Sequence, residues 1–339
     1  MKLLLCADLH IRKKEDLGLL ARIIDTARKE GCAAILIAGD LLDSPFPTRE
    51  TEEAMMALLQ AAALPILMVA GNHDPLDLTE CYRALPENVH LFGERISSFA
   101  LGEGVVVYGL SDARGSAQRS LTQAVAASEG AMKILMAHGQ PDGGDETYFP
   151  ISTAALSESG FSLAVLGHVH KWEQRVVGGC RILLPGIPEG RGWDETGERF
   201  IWIADINGPS AALAPIKIAE KTYLEYRVDI TDCSEEEILA KMEQQEIGCD
   251  IEARLILVGA PSASPEAAIR YYTAKYNRAV KDSTEAAGDS IALLMKQNTL
   301  QGAFCRRAME EIEQASEEER PLLEEALRLG LSALKEGQK

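Results

Sequence analysis

The stretch Ala33-Ala34-Ile35-Leu36-Ile37-Ala38-Gly39-Asp40-Leu41-Leu42-Asp43 passes abruptly from an unbroken apolar run to a glycine and a carboxylate. A short run that is apolar at every position reads as a strand buried on both faces, the condition of strands in a layered α/β core. Glycine permits a tight turn out of the strand and a close approach of backbone to a ligand, so Asp40 is expected at the strand's carboxyl end. The pattern recurs outward from there. Leu3 to Ala7 leads to Asp8 and His10, Ile66 to Ala70 leads to Gly71-Asn72-His73-Asp74, Ile134 to Ala137 leads to His138-Gly139, and Leu163 to Leu166 leads to Gly167-His168-Val169-His170. Val105 to Leu110 is a further apolar run.

Segments of helical period lie between several of these runs. Leu17 to Glu30 puts Leu20, Ile23, Ile24 and Ala27 on one face, and Thr48 to Ala63 does the same with Met55, Leu58 and Leu59. Alternating strands and helices predict an α/β fold, a layered sandwich of mixed sheets flanked by helices. The sheet is expected to turn antiparallel or mixed where Arg181 to Leu184 and Arg199 to Ile206 are joined by a Gly/Pro-rich loop. Composition shifts near Lys217 to Thr222. Beyond it come a strand (Tyr223 to Ile230), a helix opened by the capping box Ser234 and Glu237, a strand (Ala253 to Val258) and a helix begun by Ser264-Pro265. The expected division is a first domain over residues 1–218, a small α+β domain over 219–298 and a C-terminal helical arm over 299–339. In the arm, Pro321 suits the first turn of a new helix whose leucines, Leu322, Leu323, Leu327, Leu331 and Leu334 among them, form a broad stripe that must be buried against the chain itself or a partner.

The chain has 339 residues, 46% hydrophobic and 25% charged, a composition that excludes disorder, and no apolar run approaches the ~20 residues that span a bilayer. The N-terminal run is too short for a signal-peptide core, which predicts a cytoplasmic protein with no membrane partner. Seven cysteines without a CxxC spacing indicate neither a disulfide framework nor a zinc knuckle. A formal charge of −18, from 34 Lys+Arg against 52 Asp+Glu, argues against coating nucleic acid by bulk electrostatics while leaving room for a local basic groove.

In an open α/β sheet, ligands bind in the crevice outside the carboxyl ends of the strands, and five of the six histidines stand there together with Asp8, Asp40 and Asn72. Asp8 and His10, like His168 and His170, are separated by one residue, a spacing that puts both side chains on one side of extended backbone. The set Asp8, His10, Asp40, Asn72, His138, His168 and His170 offers only oxygen and imidazole-nitrogen donors. Seven such groups are too many for one tetrahedral zinc and suit two divalent ions sharing a carboxylate, ~3.5–4 Å apart. His90 belongs to no such group.

These five ordered motifs resemble those of the calcineurin-like metallophosphoesterase superfamily, and the stretch from Pro185 to Glu198 resembles the segment after the last motif in SbcD-type DNA repair exonucleases. The resemblance covers roughly residues 1–230. It implies one metal held by Asp8, His10, Asp40 and His170, a second by Asp40, Asn72, His138 and His168, and His73 free to act on the scissile phosphate. Asp43 stands where the archaeal and eukaryotic nucleases usually carry histidine, so no second catalytic histidine is implied. The implied activity is Mn²⁺-dependent phosphodiester hydrolysis, most specifically a DNA exonuclease or endonuclease in repair, with DNA, an SbcC-like ATPase subunit or a second copy of the chain as partners. Fe, Zn or Mg are the other metals open to such a donor set. Arg12, Lys13 and Lys14, just beyond His10 in the sequence, and Arg191 are the candidate phosphate contacts. The alternatives are a phosphoesterase acting on a nucleotide or small phosphodiester, and a non-catalytic scaffold, although no ligand position is missing.

Overall fold

Period-two alternation along the buried strands sorts their side chains between two layers. In β1 (Lys2–Cys6) and β2 (Ala34–Ala38) of the computed structural model, Leu4, Cys6, Ile35 and Ile37 pack with Leu20, Ile23 and Ile24 of α1 (Leu17–Lys29) and Met55 and Leu59 of α2 (Arg49–Ala61). The intervening Leu3, Leu5, Leu36 and Ala38 face Ile134, Met136, Leu163 and Val165 of a second sheet. Each of these leucines and isoleucines contributes ~1.5–3 kcal/mol by leaving water, which is why the runs carry no polar residue. Residues 1–111, 132–142, 150–248, 251–284, 291–316 and 319–336 are described.

The first sheet runs β14 (Ser210–Ile216), β13 (Ile201–Asn207), β1, β2, β3 (Ile66–Val69), β4 (Val89–Leu91). The second runs β11 (Glu173–Val177), β12 (Cys180–Leu184), β10 (Leu163–Gly167), β7 (Met132–His138), β6 (Val105–Leu110), β5 (Ser97–Gly102). Both are mixed. β1, β2 and β3 are parallel, as are β6, β7 and β10, so the carboxyl ends of the central strands gather in each sheet. The expected antiparallel pairing is present where β13 meets β1 and β14, with Leu4 opposite Ile203, and where β11 meets β12. The outer face of the second sheet, with Leu135, Ala164 and Leu166, packs with Leu156 of α3 (Thr153–Glu158). A short parallel pair, β8 (Gln140–Pro141) and β9 (Pro150–Ile151), follows His138.

Contacts divide the chain into two units, Met1–Tyr223 and Leu224–Lys339. The second carries a three-stranded sheet of β15 (Thr222–Asp229), β16 (Ile251–Val258) and β17 (Ala279–Asp282), packed with α4 (Glu235–Glu243) and α5 (Glu266–Tyr276) around Leu255, Leu257, Ile238 and Tyr272. Ser234 and Glu237 form the capping box that opens α4. Next come α6 (Ile291–Lys296), α7 (Leu300–Gln314) and α8 (Arg320–Glu336), where Leu323, Leu327 and Leu331 pack with Phe304, Cys305 and Ile312 while Leu322 and Leu329 stay exposed. Among the described residues no helix is long and apolar enough to cross a membrane. Five described cysteines are buried thiols and Cys32 is half-buried. His90 packs edge-on against Phe92 and Trp193 against Tyr223, while Trp172 lies tilted against Trp202.

Candidate metal centre

The loops leaving β1, β2, β3, β7 and β10 bring all the sequence-identified donors to one place in the first unit. Asp8 and His10 follow β1, Asp40 follows β2, Asn72 and His73 follow β3, His138 ends β7, and His168 and His170 follow β10. The reason they converge differs from the extended backbone expected of the i, i+2 pairs. Asp8, His10, Asp40 and His168 have φ of 55°, 47°, 48° and 87°, the left-handed region, so each turns its side chain out of the strand direction. Backbone bonds lace the first two loops together, with Asp8 N–H donating to Gly39 O at 3.0 Å and His10 N–H to Asp40 O at 3.0 Å. At Gly39, with φ 90°, a Cβ would stand 2.2 Å from His138 Nδ1, and at Gly71 it would stand 2.2 Å from Asp40 Oδ1. Glycine is required at both places by close approach.

Asp8, His10 and His170 form one group of donors within 4.8 Å of one another, and Asp8, Asp40 and His138 form another. In the first, His10 Nε2 faces His170 Nε2 at 3.2 Å, and His10 Nε2 is 3.8 Å from Asp40 Oδ2. In the second, His138 Nε2 lies 3.2 Å from Asp40 Oδ2 and 3.0 Å from Asn72 Oδ1, and Asn72 Oδ1 is also 3.1 Å from His168 Nδ1. Asp40 stands between the two halves. His73 donates its backbone N–H to Asp40 Oδ1 at 2.9 Å, and its ring Nδ1 lies 3.0 Å from Asp43 O. His73 also lies within 4.8 Å of His10 and Asp40 by its ligating atoms, but it is exposed where they are buried.

Burial and mutual pairing shift the titratable groups of the site in opposite directions. Burial pushes the Asp8 carboxyl up to about 6, with the His138 charge opposing and the Asp40 charge adding to the rise. Burial works the same way on Asp40, but its hydrogen bond and ion pair with His138 outweigh it and hold the carboxyl down at about 2. His138 is raised to about 9 because Asp40 overcomes the burial that disfavours its charge, and burial lowers His10 to about 4 against the pull of Asp40. Two imidazoles facing each other through Nε2 need a proton or a cation between them, while His10 Nδ1 stands 3.1 Å from Asp43 Oδ1. The donors are carboxylate, amide oxygen and imidazole throughout, the set that divalent Mn, Fe or Zn accepts, so the residues fit the implied ions.

The candidate phosphate contacts separate into two groups. Arg12, Lys13 and Arg191 line a cavity of about 310 Å³ beside His10, together with Lys221, Asp16 and Glu189. Lys14 does not line it, and pairs with Glu50 at 2.8 Å. Three residues that sequence reasoning leaves without a role also support the site. Asp74 is buried and accepts from Gly71 N–H at 2.7 Å, from Leu42 N–H at 3.1 Å and from the Tyr82 hydroxyl, tying the loops after β2 and β3 together. Arg199 donates to His170 O at 2.6 Å and Thr196 O at 2.8 Å. Glu195 Oε1 stands 2.9 Å from His170 Nδ1. Glu195 lies within the Pro185 to Glu198 stretch that carries the resemblance, but nothing in its spacing marks it as a partner of His170.

The model of the calcineurin-like phosphoesterase superfamily domain matches residues 1–207. YhaO of Bacillus subtilis, named an uncharacterized metallophosphoesterase, is 24% identical over 264 residues, which cover 73% of this chain and 65% of that protein. The DNA double-strand break repair protein Mre11 of Aeropyrum pernix is 26% identical over 235 residues, covering 62% of this chain and 57% of that one. The chain thus spans less than two thirds of the length of either relative. Among solved structures, TT1561 of Thermus thermophilus aligns with 63% of this chain and 98% of its own at 17% identity, with a TM-score of 0.45. Since the matched residues include the second sheet, all of the first but its edge strand β14, and every one of the converging donors, the chain belongs to the calcineurin-like phosphoesterase superfamily.

Proposed function

We propose that this chain is a binuclear-metal phosphodiesterase and, within that class, a Mn²⁺-dependent DNA nuclease. The observation that carries the reading is the position of Asp40 between two donor groups, with Asp8, His10 and His170 on one side and Asn72, His138 and His168 on the other. Two divalent ions held there would supply a water nucleophile of lowered pKa and neutralise the non-bridging phosphate oxygens. The chain's own residues do the rest. Asp40, whose Oδ1 is fixed by the His73 backbone N–H, would help to hold both ions. The His73 ring, exposed and steadied at Nδ1 by Asp43 O, would hydrogen-bond the phosphate or protonate the leaving oxygen. Arg12 and Lys13, on the wall of the cavity beside His10, would hold a flanking phosphate.

Likeness to a DNA double-strand break repair protein supports DNA as the substrate. The net charge of −18 favours a second reading, a small phosphodiester or nucleotide. Purified chain with Mn²⁺ is offered linear single- and double-stranded DNA and, separately, bis(p-nitrophenyl) phosphate. Cleavage of DNA is the expected result. Hydrolysis of the small ester alone selects the second reading, and metal binding without hydrolysis of either leaves a scaffold.

A further inference from the structure

The loop after β12 carries an ion-pair cluster directly behind the imidazoles of the first donor group. Glu195 Oε1 lies 2.9 Å from His170 Nδ1, on the far side of the ring from the Nε2 that faces His10. The same oxygen accepts from Arg191 Nη2 at 2.8 Å, while Oε2 accepts from the Arg191 backbone N–H at 2.8 Å and Nε at 3.3 Å. The remaining arm of Arg191 reaches Asp43 Oδ1 at 2.9 Å, and that oxygen is 3.1 Å from His10 Nδ1. One guanidinium therefore joins two carboxylates, each of which stands at the Nδ1 side of an imidazole in the same donor group.

We propose that Glu195 is a positioning residue that fixes the tautomer and aim of His170, with Arg191 holding the Glu195 carboxylate in place and linking it to Asp43 behind His10. The inference rests on the metalloenzyme reading of this site. A neutral imidazole can offer Nε2 to a cation only when its proton sits on Nδ1, and a carboxylate accepting at Nδ1 selects that tautomer and stops the ring from flipping. Glu195 is 12% exposed, so its acceptance is little diluted by water. Burial acts to raise its carboxyl, but the His170 hydrogen bond and Arg191 hold it well below the usual carboxylate range, which keeps it an acceptor. Bidentate contact with arginine supplies the geometric constraint that a lysine would not.

The tautomer is read in metal-free, ¹⁵N-labelled full-length chain at alkaline pH by long-range ¹⁵N–¹H correlation, with His170 assigned through His170→Gln. Wild type should show His170 with the proton on Nδ1. Glu195→Ala should shift it to a mixture or to Nε2–H and weaken Mn²⁺ binding by about 10–100-fold in titration calorimetry, while Glu195→Gln, which keeps an acceptor, should restore the tautomer and most of the affinity. An unshifted His170 in Glu195→Ala overturns the proposal, as does a Gln variant as impaired as the Ala variant. The His90 signals, remote from this loop in sequence and unconnected to it, should not move; if they do, the change is global and Arg191→Met, which loosens Glu195 without removing it, must reproduce the His170 shift or the proposal fails. Should wild type bind no divalent ion, the metalloenzyme reading falls while the tautomer result still decides the role of Glu195.

Discussion

Substitutions at two side chains test which residues hold metal and which act on phosphate. Asp40 faces both donor groups, so Asp40→Ala should drop bound metal from two ions per chain towards none, and His10→Ala should remove chiefly one; metal analysis after Mn²⁺ loading and desalting distinguishes them. A single ion that survives Asp40→Ala would end the binuclear reading. His73 is the harder case, because its ring lies close enough to His10 and Asp40 to ligate. Its exposure and its bond to Asp43 O favour a role toward substrate, so His73→Ala should keep the metal content while turnover falls by ~10²–10⁴. Loss of metal in that variant would make it a ligand.

Between residues and the whole chain, the unit that matters is the strand-end loop. Asp74 satisfies two backbone N–H groups and a hydroxyl with no cation beside it, and burial raises its carboxyl to about 6. Asp74→Ala orphans those buried donors, and the expected cost is about 3 kcal/mol or more in urea unfolding. Metal affinity should fall with it, since the Asn72 loop loses its tie to the Asp40 loop. Asp74 stands in the sequence motif without an assigned role, because a buried carboxylate that bonds backbone has no signature in spacing. The strands, by contrast, are legible: an apolar run buried on both faces tolerates no polar residue, and Ala34–Ala38 and Leu163–Gly167 obey this. The antiparallel β13 beside β1 is legible only as a change of direction, since pairing Leu4 with Ile203 is a non-local choice. The donors are also legible, though the reason they meet is not. Their left-handed φ values depend on cross-loop bonds such as Asp8 N–H to Gly39 O, which no single segment encodes.

For the whole molecule, the site couples metal, protons and folding. Ions that bind only the folded chain stabilise it, by ~2.7 kcal/mol at a hundredfold excess over Kd, so Mn²⁺ should raise Tm and EDTA should reverse the gain. The pH dependence has a definite sign. His138 is raised to about 9 in the folded chain, so the stability it contributes is complete below about 6.5, the pKa of a free imidazole, and is lost as pH rises through 9. A metal must expel that proton, and likewise the one that Asp8 holds up to about 6. The Mn²⁺-induced rise in Tm should therefore be larger at pH 8.5 than at pH 6. A shift equal at both values would mean that the ion does not meet His138.

The left-handed backbone at Asp8, His10, Asp40 and His168 bears on how such a chain drifts when selection relaxes. Each L-residue held there costs of order 1–2 kcal/mol, and folded domains are stable by only ~5–15 kcal/mol in total. Asp8 adds a desolvated charge: its raised pKa favours the folded chain below about 3.8 and is lost as a benefit as pH rises through about 6. Asp8→Asn keeps an acceptor for the His168 N–H, tolerates the same φ and removes that charge, so at pH 8 the metal-free variant should melt higher than the metal-free parent. Loss of function at this position is thus the thermodynamically downhill direction. Descendants freed from catalysis would gain heat resistance first at Asp8, the carboxylate whose charge burial disfavours.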